Sequence, residues 1–172
     1  MLVAFEQYCL VVQTPKGGGS QERDERRVAG RLARTNLEAT IERAVSEPGV
    51  AAEEAALMDA MLASSHRLAN ALIGLEAAVD ATNDRRPAFG RFLQDVQVTL
   101  AHLASVLRDG SVERSALPDL REDQYALAHS TDSQQSHRLA DTETDRIANS
   151  LNTLAGGCLV GQSLTFGATA TR

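Results

Sequence analysis

The chain contains no tryptophan, and aromatic residues make up only 3% of it. Stacking platforms for bases or sugar rings therefore have almost nothing to be built from. Lysine occurs once, as Lys16, so arginine supplies nearly all of the positive charge. The net charge is −6, which argues against a nucleic-acid partner, since phosphate binding needs a basic face. Cysteine occurs twice, as Cys9 and Cys158, near opposite ends of the chain. Two residues so placed form neither a disulfide framework nor a metal motif, and free thiols are expected. No apolar run approaches the roughly 20 residues needed to cross a bilayer. Residues 2–12 are interrupted by Glu6 and Gln7 and lack a basic start or cleavage site, so they do not read as a signal peptide. As written, the sequence reads as a soluble chain. No strand pattern is convincing anywhere, and no repeat of 20–50 residues is visible.

Alanine, leucine, glutamate, arginine and glutamine are abundant, which tilts the chain strongly towards helix. Its 172 residues suit one domain with a real core. The expected architecture is all-α, an antiparallel bundle of about four long helices plus short ones. Residues 1–13 read as a short amphipathic helix with Leu2, Phe5, Cys9 and Val12 on one face. Residues 14–20, TPKGGGS, read as a flexible linker. The bundle domain is expected over residues 21–155, and residues 156–172 as a disordered tail.

Within that domain a helix is expected over 22–46, with Val28, Leu32, Leu37, Ile41 and Ala44 as its apolar positions. Its arginines are nearly balanced by acids, which favours a solvated face with helix-spaced ion pairs over an anion site. Glu47-Pro48-Gly49 should end it. The next helix covers 51–79 with the stripe Met58, Met61, Ser65, Leu68, Leu72, Leu75 and Val79. A third covers 87–108, opening at Pro87, with Phe89, Leu93, Val96, Leu100, Leu103 and Leu107 in the same three-and-four alternation. Joined by the polar turn at 80–84, these two describe an antiparallel hairpin packed side by side. Gly110 and Pro118 bracket a loop, a short helix covers 119–128, another loop covers 129–136, and a final helix covers 137–155 before Gly156-Gly157.

Reaction chemistry is sparse. His66 and His102 lie on different helices without a second ligand at i+3 or i+4, and no Glu-x-x-His occurs, so no metal is expected. His129 and His137, with Asp132 between them, sit in or beside a polar loop. Ser65-His66 and Ser136-His137 are adjacent pairs whose side chains diverge on a helix, so neither can join a nucleophile to its base. No nucleophile elbow, phosphate-binding glycine loop or zinc-protease motif occurs. Neither an enzyme nor a cofactor is expected. Met58 and Met61 read as core filling rather than as an adaptable groove. The most distinctive feature is the closing helix, where Asp145, Asn149 and Asn152 share one face and Arg146 lies beside them. That set reads as an interhelical polar seam, with contact to a ligand as the other possibility.

The segment Asp145 to Ala155, DRIANSLNTLA, resembles the closing helix of the fusaric-acid-resistance (FUSC) family of aromatic-acid exporters. Similar in order are the arginine-rich helix at 30–49, GRLARTNLEATIERAVSEPG, the alanine-rich helix at 64–77, SSHRLANALIGLEA, and Leu-Pro-Asp-Leu at 117–120. The resemblance spans about residues 21–155. It implies a helical domain on the cytoplasmic face of the inner membrane, serving assembly or gating of export. It also implies the transmembrane part of a parent transporter as partner, with a homo-oligomer possible. The family's membrane spans have no counterpart in this sequence. Rival expectations are a protein-interaction module and a bundle that senses small molecules.

Overall fold

The computed structural model describes residues 1–13, 20–82, 86–109, 117–130 and 137–169. The expected glycine-rich linker, most of the polar turn near Asn83, the loop after Gly110 and that around Asp132 lie largely or wholly outside those residues. Every regular element among the described residues is helical: α1 (Leu2–Gln13), α2 (Ser20–Val45), α3 (Ala52–Thr82), α4 (Pro87–Asp109), α5 (Leu120–Ala128) and α6 (Arg138–Thr169). The protein is an all-α bundle.

Local chemistry sets several of these boundaries. Gly49 ends the α2–α3 turn with φ of +99°, a left-handed conformation that side chains with a Cβ rarely adopt. Pro87 opens α4, where a missing N–H costs nothing. Asp119 caps α5 by accepting from the backbone N–H groups of Arg121 and Glu122, at 3.0 and 3.1 Å.

The sequence places α3 and α4 side by side; the structure does not. Among the described residues no Cα of α3 comes within 8 Å of one in α4. α3 instead packs along α6, α4 packs on α1, and α1–α3 and α4–α6 contacts close the ring, so α3 and α4 stand on a diagonal. Both still bury their stripes: Leu68, Leu72, Leu75, Leu93, Val96 and Leu100 have no solvent exposure. The α3–α6 pair runs antiparallel, because Gly74 lies against Glu143 and Gly157 against Met61. α2 then covers the groove between α1 and α3, and α5 covers that between α4 and α6.

This arrangement has an internal two-fold character, α1-α2-α3 matching α4-α5-α6. Arg67-Leu68-Ala69-Asn70-Ala71-Leu72 of α3 recurs in α6 as Arg146-Ile147-Ala148-Asn149-Ser150-Leu151, with each pair in the same burial class. The same offset pairs buried Ser65 with buried Thr144 and Leu75 with Leu154. In α1 the buried Phe5, Tyr8, Cys9 and Val12 find counterparts in Phe89, Phe92, Leu93 and Val96 of α4. Equivalent helices bury equivalent positions because each meets its own counterpart across the middle of the bundle.

Two boundaries differ from expectation. α1 is not an outlying segment: Leu2, Phe5, Tyr8, Cys9 and Val12 are part of the one core. α6 does not stop at Gly156-Gly157 but runs helical to Thr169. A Cβ on Gly157 would come within 3.2 Å of the Met61 side chain. That glycine therefore serves close helix packing rather than helix termination.

Candidate functional site

The two ends of the bundle are chemically opposite. At the end formed by the C-terminal half of α3 and the start of α4 and α6, ionised groups lie in pairs, with Glu76 and Arg86 buried. Glu76, only 5% exposed, accepts from the Tyr8 hydroxyl and from Arg27 Nη2 at 2.9 and 3.0 Å. Arg23 reaches Asp80 at 3.0 Å. Arg86, 6% exposed, bonds Asp141 at 2.7 Å and the carbonyl of Leu127 at 3.3 Å. Burial, the hydrogen bond to Glu76 and its charge all push the Tyr8 hydroxyl's pKa up, so it stays protonated and donates. The bond to Glu76 holds Arg27 in its charged form. Each of these charges has a partner, so this end is a polar plug.

At the other end the helices do not close. An apolar chamber of about 490 Å³ lies between the start of α1, the last turns of α2 and α4, the first half of α3 and the later part of α6. Met1, Leu2 and Val3 form one wall; Leu37, Thr40, Ile41 and Ala44 form a second. Met58 and Met61 of α3 face Ala104 and Leu107 of α4, with Leu154 and Cys158 of α6 completing the lining. Arg108 is its one charged lining residue, and it is exposed, with no ion pair among the described residues. All three methionines of the chain lie here. The volume falls in the usual range for small-molecule sites.

The chamber changes how several sequence positions are understood. Met58 and Met61, expected as core, are half-buried chamber walls, although Met61 also packs against the core. Leu107, expected at the end of the α4 stripe, is 56% exposed, and Val106 is buried in its place. Burial pushes the thiol of Cys158 upward, and that of Cys9 to about 12, so neither is a reactive thiolate. Both are free.

The polar set on α6 is brought together in part. Arg121 of α5 bonds Asp145 at 2.6 Å and also Asn149, while Asn149 donates to Asp145 at 3.1 Å. Asp145 and Asn149 thus make an α5–α6 seam, with Arg121 as the partner that sequence reasoning missed. Arg146 turns instead to Glu143, at 2.8 Å along its own helix, and Asn152 is exposed beyond the seam. The histidines stay apart: His66 lies 3.6 Å from Glu38, and His129 stacks on Tyr125. Among the described residues no group of three or more His, Cys, Asp or Glu side chains could hold a metal.

One further acidic pair was invisible in the sequence. Asp123 of α5 is buried and shares a hydrogen bond with Asp95 of α4, with Arg91 Nε 3.2 Å away. Burial first, and then Asp95, raise its pKa to about 6.

Among the described residues no helix is long and apolar enough to cross a membrane. Compared with protein-family models, curated proteins and solved structures, the chain matches none of them.

Proposed function

We propose that the protein is a ligand-binding helical module that takes a small apolar molecule, with an anionic end, into the chamber between α1, α2, α3, α4 and α6. The chamber carries this reading. A bundle that has filled its remaining core to exclusion of water leaves about 490 Å³ lined by flexible methionine and aliphatic side chains. Arg108 on its wall supplies the one charge that an apolar carboxylate would seek. Binding would draw the ends of five helices together, a coupling through which a sensor can report.

A second reading rests on the ordered likeness of residues 21–155 to the fusaric-acid-resistance family. In it the module is the cytoplasmic domain of an inner-membrane exporter and serves assembly or gating, with the transmembrane part of that transporter, or further copies of the chain, as partners. The two readings are compatible, since a gate can be set by the compound to be exported.

Thermal melts with octanoate and 2-naphthoate test the chamber. At a ligand concentration 100-fold above Kd, linkage adds about 2.7 kcal/mol, a rise in Tm of about 5 to 10 °C for a chain of this size. Ala44→Phe, which fills the chamber, should abolish the rise, and Arg108→Ala should weaken carboxylates about tenfold but leave the matching alcohols unchanged. No shift with any apolar ligand would overturn the proposal.

A further inference from the structure

A second hollow lies further along α2, where it crosses α1 and α3. Between Arg26 and Leu37 the helix carries four arginines and no acid. Arg27, Arg31 and Arg34 follow i, i+4, i+7 and so share one face. All three line a hollow of about 20 Å³ whose floor is Phe5, Ala69 and Ile73. Gly30 lets the helix close on Phe5, whose ring a Cβ would meet at 3.5 Å.

The acids near this face pair with Arg27 or with His66 and not with Arg31 or Arg34. Glu76 holds Arg27 and Tyr8, and Glu38 faces His66 at 3.6 Å. Asp24 lies 3.5 Å from Arg27. Arg31 and Arg34 have no ion pair among the described residues. Moreover, the Nε atoms of Arg27 and Arg34 are both shut off from solvent and have no acceptor. A buried guanidinium N–H without a partner is a cost that structures normally avoid. Here two occur beside one hollow. Glu76 and Asp24 both pair with Arg27, so Arg31 and Arg34 are the two cations of this face left without an acid partner among the described residues.

We infer that this hollow is an anion site for a phosphate-class dianion, seated across Arg31 and Arg34 with Arg27 behind it. A dianionic phosphate matches the two spare charges, and its oxygens suit the planar donor forks of arginine. A monocarboxylate would leave one charge unmet. The phosphate can come from a free phosphate monoester or from the head group of a phosphatidic-acid lipid. The exposed Val28 and Leu32 lie within a turn of Arg31, and they bear only on the second source.

Calorimetric titration at low ionic strength with inorganic phosphate and glycerol 3-phosphate tests the site, beside vesicles of phosphatidylcholine with and without phosphatidic acid. One saturable site is expected, weakening at least tenfold in Arg31→Gln/Arg34→Gln and unchanged in Arg43→Ala, an exposed arginine on the same helix. Affinity for glycerol 3-phosphate should rise as pH passes 6, where a phosphate monoester loses its second proton. Binding to the free phosphates identifies a soluble ligand; binding to phosphatidic-acid vesicles alone identifies the head group as the source. No binding in either arm, or equal binding by the double variant with its helicity intact, overturns the inference. Chamber ligands have no bearing on this outcome.

Discussion

Leu72 and His66 lie within two turns of each other on α3 and should respond oppositely to substitution. Leu72 has no solvent exposure, so Leu72→Asp buries an unpaired carboxylate and should abolish the cooperative thermal transition. His66 is half-buried and only 3.6 Å from Glu38, so His66→Ala should shift stability by no more than about 0.5 kcal/mol. The Asp123–Asp95 pair makes the prediction for pH. A carboxyl whose folded pKa is raised binds its proton more tightly in the native state. Its stabilising contribution is therefore present below the unfolded value, near 3.8, and is lost as pH climbs to about 6. Asp123→Asn keeps a hydrogen-bonding group there without a titrating charge. The Tm of that variant minus that of the parent should grow from pH 4 to pH 6 and then level off. A difference that stays flat would show that the two carboxyls share no proton.

Helices with a single clean stripe were legible in the sequence, and those serving two neighbours were not. The stripes of α3 and α4 are buried from Ser65 to Leu75 and from Phe89 to Leu103, and the boundary at Pro87 is where the sequence puts it. α2 was misread. Val28 and Leu32 are 54% and 60% exposed, while the inward face carries Arg23, Arg27, Gly30, Arg34, Leu37 and Ile41. Buried Glu76 and half-buried Asp80 draw arginine heads inward, and the arginine methylene stems can cover apolar surface as leucines would. Hydrophobicity alone cannot reveal a face built from arginine. The seam on α6 was visible as a pattern, but its partner on α5 was not, because Arg121 lies on a different helix, 24 residues from Asp145 in sequence. That seam is exposed, so Arg121→Ala should cost at most about 1 kcal/mol. Leu120→Ala or Leu127→Ala should cost about 2 to 5 kcal/mol in chemical denaturation, since these two anchor α5 in the core. A larger loss at Arg121 than at Leu120 would reverse the assignment of what holds α5.

At the scale of the whole molecule, one end of a pseudo-symmetric bundle is sealed by charge pairs and the other is left hollow. The internal match between α3 and α6 escaped the sequence analysis because its period spans half the chain, beyond the 20–50 residues of common structural repeats. The chamber escaped because methionine at core spacing reads as core until the neighbouring helix ends prove too far apart to enclose it. The same geometry offers a direct probe, since Met1, Met58 and Met61 are all the methionines in the chain and all line the cavity. In protein carrying ¹³C-labelled methionine methyl groups, titration with 2-naphthoate should move or broaden the signals of Met58 and Met61, with Met1 following. The Ala44→Phe variant should show no such change. Methionine signals that stay fixed at saturating ligand would contradict the chamber as the functional site.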